Sequence, residues 1–256
     1  MTETEPGTET DAEGDRPALS VIMPAYNEEA VIAATIGALC AALDAAAIAY
    51  ELIVVDDAST DRTAGIVAGL AASHPAIRPI HNPGPNGYGH AIRRGLAVYR
   101  GDAMVVVTSD GADAPKDVVA YAVKIAEGHD CVFGQRFGPG STVTGYPPLK
   151  RLANRLANRL IGWLAGSRYR DFTNGFKCYR RIVVDDMQPL VAGQFNITIE
   201  MSLKAVLGGW RPVVVPNDWT ERDGGQSSFR ILRLVKPYAA TLLYCLTRHY
   251  LMSVRR

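Results

Sequence analysis

Three short apolar runs, residues 18–23, 52–55 and 103–108, constrain this chain most; each stops at a polar loop with a helical pattern behind it. The second is the plainest: Leu52, Ile53, Val54 and Val55 run straight into Asp56, Asp57, Ala58, Ser59, Thr60 and Asp61. So short a run between polar residues reads as a buried strand, and Asp61 or Ser59 stands where it caps a helix over 62–72. The first run ends in Pro24, Ala25, Tyr26, Asn27, Glu28 and Glu29, followed by an alanine-rich helical pattern over 30–47. The third ends in Ser109, Asp110, Gly111, Ala112 and Asp113, ahead of a helix opening at Pro115. Between them lie a short strand at 77–81, a loop over 82–89 with three glycines and two prolines, and a helix over 91–99. Alternation of this kind predicts a Rossmann-like α/β fold, with a mostly parallel sheet and right-handed crossovers.

Open α/β sheets bind ligands beyond the carboxyl ends of their strands. Two strands here end in carboxylates, Asp56/Asp57 and Asp110/Asp113, expected over the same crevice. One pair suits the ribose or base of a nucleotide. The other suits a divalent cation on a diphosphate, because Mg²⁺ takes one or two carboxylates together with phosphate oxygens. Loop capping is the alternative for each acid. A nucleotidyltransferase would place a glycine-rich phosphate loop after the first strand; Pro24 to Glu28 occupy that position, which argues against it.

Charge points to an anionic partner. The first sixteen residues carry six acids and one arginine; the remaining chain has 26 Lys/Arg against 20 Asp/Glu. Residues 1–16 are too polar and too acidic to bury a core and are expected to be a disordered tail. The basic excess is concentrated, with nine Lys/Arg and the single acid Asp171 in residues 146–181, and six Lys/Arg without an acid in residues 224–256. Phosphates or a membrane surface fit this pattern; a nucleic acid does not, since no recognition motif or stacking set accompanies it. The four cysteines are far apart, which argues against a zinc site or disulfide framework. The acidic, polar N-terminus is unlike a signal peptide. A cytoplasmic protein is expected.

A helix opened by Pro147 and Pro148 carries Lys150, Arg151, Arg155 and Arg159, with Arg151, Arg155 and Arg159 on one face and Leu152, Leu156, Leu160 and Trp163 on another. Such a helix suits a membrane-surface acceptor. In residues 230–256 the apolar stretches fall short of the roughly 20 residues that cross a bilayer. One or two interfacial helices are expected there.

Taken in order, these loops resemble glycosyltransferase family 2. The resemblance rests on Pro24-Ala25-Tyr26-Asn27-Glu28, Asp56-Asp57-Ala58-Ser59-Thr60-Asp61 and Asp110-Gly111-Ala112-Asp113, each after a strand. Gly134-Gln135-Arg136, Tyr146-Pro147 with Lys150, Asp171 to Phe176, Glu200 and Arg222 to Ser227 narrow it to the dolichol-phosphate (polyprenyl-phosphate) mannosyltransferase-like branch. It spans about residues 19–229.

The resemblance implies a GT-A fold over residues 17–229, with residues 230–256 as amphipathic, membrane-associated helices. The activity implied is inverting transfer of a hexose, foremost mannose from GDP-mannose, to polyprenyl or dolichyl phosphate, assisted by Mg²⁺ or Mn²⁺. The protein would sit peripherally on the inner face of the plasma membrane. Donor contacts would come from Pro24, Tyr26, Asn27, Glu28, Asp56, Asp57, Asp110, Arg222 and Ser227, with Tyr26 stacking on the base. Asp110 and then Asp113 would hold the metal, although the family's usual spacing is Asp-x-Asp. Asp110, Arg136 and Asp171 would be the catalytic set, with Arg136 at the family's Ser-Arg position and Gln135 in place of Ser. Arg136, Lys150, Arg151 and Glu200 would face the acceptor. Ser228 stands where a Lys is common. Two alternatives stay open: a family 2 enzyme with a soluble or glycan acceptor, and a non-catalytic protein that binds sugar nucleotides.

Overall fold

The computed structural model describes residues 16–220 and 231–254. Its first half alternates strictly: β1 (Leu19–Ala25), α1 (Ile32–Ala45), β2 (Tyr50–Asp56), α2 (Thr63–Ser73), β3 (Ile77–His81), α3 (Tyr88–Leu96), β4 (Ala103–Val106), α4 (Pro115–Ala126) and β5 (Cys131–Gln135). The second half adds β6 (Val143–Thr144), α5 (Pro148–Leu164), β7 (Lys177–Arg180), α6 (Arg181–Asp186), α7 (Ile197–Leu207), β8 (Val213–Pro216), β9 (Trp219–Thr220) and α8 (Ile231–Val254).

Seven strands form one sheet in the order β3-β2-β1-β4-β7-β5-β8, and β6 pairs with β9 apart from it. β1 is flanked by two parallel partners, Leu19 lying opposite Tyr50 of β2 and Ala103 of β4. The chain therefore leaves β1 in one direction and returns on its other side, which opens a crevice at the carboxyl ends of β1 and β4. β7 is antiparallel to both β4 and β5. The loop entering β7 thus reaches the same end of the sheet as the loops leaving β4 and β5, and it carries Asp171.

The strands are buried on both faces, so successive side chains feed two cores. Val21, Met23, Leu52 and Val54 pack with Ile32, Ile36, Leu39, Leu43 and Val67 on one face. Ile22, Ile53 and Val55 pack with Ile92, Phe133, Val183, Ile197 and Leu203 on the other. At the amino end of the sheet, buried Glu51 accepts from Ser20 Oγ and Arg100 N, both at 2.6 Å, and pairs with Arg78.

α3 begins three residues earlier than its sequence pattern predicts. Its first amides are satisfied from outside: Gly87 N donates to Asp57 Oδ2 at 2.7 Å, and Gly89 N and His90 N donate to Gly193 O at 3.1 and 3.2 Å. Gly87 sits at φ 140°, a conformation that glycine permits. The C-terminal region forms one helix, α8, which docks on α7. Asn196 Nδ2 donates to Thr241 Oγ1 at 2.8 Å, Arg248 Nη2 donates to Gln188 O at 2.8 Å, and Thr241 and Cys245 are buried. The expected acidic tail (apart from Arg16) and the 222–227 loop lie outside the described residues.

Candidate active site

The loops leaving β1 and β2 are stitched together. Asp57 N donates to Ala25 O at 2.9 Å, Asn27 N to Ser59 Oγ at 3.1 Å, and Thr60 N to Asn27 Oδ1 at 2.8 Å. Glu28 N donates to Thr63 Oγ1 at 2.8 Å, while Asp61 accepts from Glu29 N at 3.1 Å and Thr63 N at 2.9 Å. Asn27 and Ala58 are held at φ 54° and 64°, a region that costs a side-chain-bearing residue about 1 kcal/mol. Pro24 is buried, and Tyr26, 57% exposed, presents an open aromatic face beside both loops.

Asp56 and Asp57, adjacent in sequence, have different surroundings. Asp56 Oδ1 accepts a 3.3 Å bond from Ser59 N, and its Oδ2 lies 3.5 Å from His81 Nδ1. It lines a cavity of about 210 Å³ with Ala25, Val54, Thr63, Pro79 and His81. Asp57 is buried and uses both oxygens internally, accepting from Asn82 Nδ2 at 2.6 Å and Gly87 N at 2.7 Å. Asp57, expected among the donor contacts, clamps β2 to the loop before α3.

Beyond β4, Asp110 Oδ1 accepts from Ala112 N at 3.1 Å. Asp113 is buried and folds back on the strand end, its Oδ2 accepting from Thr108 N at 2.9 Å and Thr108 Oγ1 at 3.0 Å. Burial raises its carboxyl to about 6, against the Thr108 bonds and with some help from Asp110. Asp113 does not cap α4, and its backbone bridges to Trp219. Among the described residues no three His, Cys, Asp or Glu side chains gather to form a protein-only metal cage. One or two carboxylates at a strand end do fit an ion whose remaining ligands are phosphate oxygens.

Across the crevice, Arg136 grips Asp171. Its Nε lies 3.0 Å from Oδ2 and its Nη2 2.7 Å from Oδ1, while its backbone N donates to Oδ2 at 3.0 Å. The sequence offers Arg168 and Arg170 as nearer partners for Asp171; the antiparallel entry of β7 selects Arg136 instead. Burial disfavours the Arg136 charge, but Asp171 overrides it and raises the guanidinium pKa. Arg136 Nη2 also reaches Thr173 Oγ1 at 3.3 Å, which accepts from Asn154 and Asn158 of α5 at 2.9 and 3.0 Å. Outside this joint, Arg151 lies over the Phe137 ring at 5.1 Å and Lys150 over Tyr146 at 5.1 Å, and Tyr146 packs edge-on against Trp219.

Glu200, for which the resemblance implies an acceptor contact and the sequence equally allows a buried structural carboxylate, is fully buried. It pairs with Lys204 at 2.6 Å and accepts from Val191 N and Ala192 N at 2.9 and 2.7 Å. It thereby fixes the segment whose Gly193 carbonyl caps α3. Sequence reading missed Lys177, a buried lysine whose Nζ donates to Phe172 O at 3.1 Å and to Asn174 O. Burial pulls it down to about 7, partly countered by Asp171. A lysine opening a strand directly behind the Asp171–Phe176 loop was the available signal. Tyr88 was missed as well. It stacks on Phe195 with centroids 4.4 Å apart.

Residues 20–187 match the family described as Glycosyl transferase family 2. The chain is 30% identical over 218 residues to a polyprenol monophosphomannose synthase of Mycolicibacterium smegmatis, covering 81% of this chain and 79% of that protein. It is 28% identical over 213 residues to an undecaprenyl-phosphate mannosyltransferase of Micrococcus luteus, covering 80% and 85%. Its fold is similar to that of glucosyl-3-phosphoglycerate synthase from Mycobacterium tuberculosis, solved with Mn²⁺, UDP and phosphoglyceric acid. The TM-score is 0.67 at 22% identity, over 90% of this chain and 78% of that one.

Proposed function

The chain belongs to glycosyltransferase family 2, and from that premise we propose that it transfers a hexose, foremost mannose from GDP-mannose, to a polyprenyl phosphate at a membrane surface. The relatives described above support a polyprenyl-phosphate acceptor by their names. Within this chain the reading is carried by α5. Leu149, Leu152, Leu156, Leu160 and Trp163 are all exposed, Leu149 at 79% and Trp163 at 75%. They follow the i, i+3, i+4 spacing of one helix face. The opposite face, with Asn154, Asn158 and Ile161, meets the body of the protein. Exposed Arg151, Arg155 and Arg159 flank the stripe. An outward apolar face edged with arginines suits the boundary between anionic headgroups and acyl chains. Among the described residues no helix is long and apolar enough to cross a membrane.

The chemistry follows from the acceptor. A lipid phosphate is largely dianionic near pH 7, its second pKa being about 6, so it attacks without a strong general base. Lys150 and Arg151 draw it in, and Arg136, held by Asp171, keeps Nη1 for a phosphate oxygen. A single displacement inverts the sugar carbon, and the work of the site is alignment and charge stabilisation. Asp110, with Asp113 behind it, would hold Mg²⁺ or Mn²⁺; when bound, such an ion neutralises charge on the departing diphosphate as a Lewis acid. Tyr26, Asn27, Glu28 and Asp56 take the nucleoside, and Arg222 and Ser227 are assigned to closure over the donor.

The test is to incubate purified protein, Mg²⁺ or Mn²⁺ and a short polyprenyl phosphate with GDP-mannose, UDP-glucose or UDP-N-acetylglucosamine, and to analyse the organic phase by mass spectrometry. A metal-dependent glycolipid from GDP-mannose, absent with Asp110→Ala, is expected. Bound donor without any lipid product would overturn the acceptor and redirect the search to soluble acceptors.

A further inference from the structure

Tyr88 is the first residue of α3 and is held with more precision than its own packing needs. Behind it, Gly87 N is fixed by Asp57, and Gly89 N and His90 N by Gly193 O. One face of its ring lies on Phe195, at 4.4 Å and 11°. Phe195 O in turn accepts a 3.3 Å bond from Tyr238 of α8. Gly175 lies beside the phenol, where a Cβ would stand 3.4 Å from the Tyr88 oxygen, an ordinary contact.

The hydroxyl itself makes no hydrogen bond to any described residue. Tyr88 is only partly buried and its oxygen is reached by solvent, so a clamped ring with an open hydroxyl at the ligand end of the sheet suits a partner that arrives with substrate. Burial, with the charges of Asp113 and Asp110 close by, holds its proton on far above neutral pH. It is therefore a neutral donor and acceptor, not a base.

The surroundings identify the chemistry. An anion would call on backbone amides or cations, but the amides of Gly87, Gly89 and His90 are already taken and the charges acting on the phenol are the carboxylates of Asp113 and Asp110. A neutral phenol, carboxylates and an aromatic face are instead the groups that meet sugar hydroxyls and sugar C–H surfaces. We propose that Tyr88 contacts the transferred hexose, its hydroxyl pairing with a sugar hydroxyl beside the Asp110–Asp113 loop while Phe195 holds its ring. The assignment rests on the nucleotide-sugar donor of the proposed function.

The test is the affinity of wild-type and Tyr88→Phe protein, with Mg²⁺, for GDP-mannose and for GDP, measured by calorimetry. The substitution keeps the ring stack and removes one oxygen, and thermal melting confirms that the fold is retained. Losing one neutral hydrogen bond is expected to weaken GDP-mannose binding about fivefold to tenfold with GDP affinity unchanged. Equal affinities in both proteins would overturn the role of Tyr88. So would a parallel loss for GDP and GDP-mannose, which would put the hydroxyl on the diphosphate. If wild-type protein binds GDP no better with mannose attached, and the UDP-sugars behave likewise against UDP, the donor reading fails first and takes this assignment with it.

Discussion

Arg136 and Asp171, 35 residues apart in the chain, form a two-pronged ion pair with N–O distances of 3.0 and 2.7 Å, both side chains almost wholly enclosed. The pair joins the end of β5 to the entry of β7 and sets the angle at which Arg136 faces the crevice.

Removing one partner strands the other. Asp171→Asn is expected to cost about 3 kcal/mol, because the guanidinium is left buried without its counter-charge. Urea unfolding measures the loss, and an unchanged midpoint would show that the pair is dispensable. Arg136→Lys keeps the charge but loses the fork, and should lower turnover more than it lowers stability.

Lys177 makes stability depend on pH. Its folded pKa is about 7, against about 10.4 for an unconstrained lysine. Between these values the unfolded chain holds a proton that the folded chain has released, so folding becomes more favourable as pH rises from about 7 to about 10. Below about 7 the cost of burying the charge is fully present. Denaturant midpoints of wild type and Lys177→Met compared across pH 6 to 10 should show this slope in wild type only.

Asp56 and Asp57 should separate in a double comparison. Asp57→Ala releases Asn82 and Gly87 and is expected to cost about 2 kcal/mol. Asp56→Ala, at the cavity mouth, should stay within about 0.5 kcal/mol but weaken nucleotide binding. Equal melting temperatures for the two variants would refute the clamp.

The leucine stripe of α5 gives a membrane prediction. Leu156→Glu combined with Leu160→Glu should reduce sedimentation with anionic vesicles at least tenfold, since each buried leucine is worth up to about 1.5–3 kcal/mol. Melting should change little, because neither side chain packs against the body. Undiminished vesicle binding would assign the attachment elsewhere.

Much of the sheet was legible. β1, β2 and β3 lie within about two residues of their sequence boundaries, β3 at 77–81 without change, because a β-branched run with polar ends has few other uses. The strand-end acids likewise announce the crevice. The partners of those acids did not show. Asp57 bonds to Asn82 and a glycine amide, and Glu200 to two backbone amides and Lys204; backbone amides carry no side-chain signature. The start of α3 was hidden for a related reason, since its glycines read as loop until the capping carbonyl of Gly193 is supplied from more than a hundred residues away. The antiparallel entry of β7 likewise chose Arg136 over the neighbouring arginines as the partner of Asp171.

The joint that fastens α5 is made of amides and a hydroxyl: Asn154 and Asn158 meet Thr173 through bonds of 2.9 to 3.1 Å. Directional bonds fix how the helix is rotated, so its leucines need take no part in keeping it there. Folding and the proposed contact with lipid would thereby fall to separate residues of one helix. If that side meets a membrane as proposed, it could be rewritten for a thicker, thinner or more highly charged bilayer while the loops behind the joint keep their places.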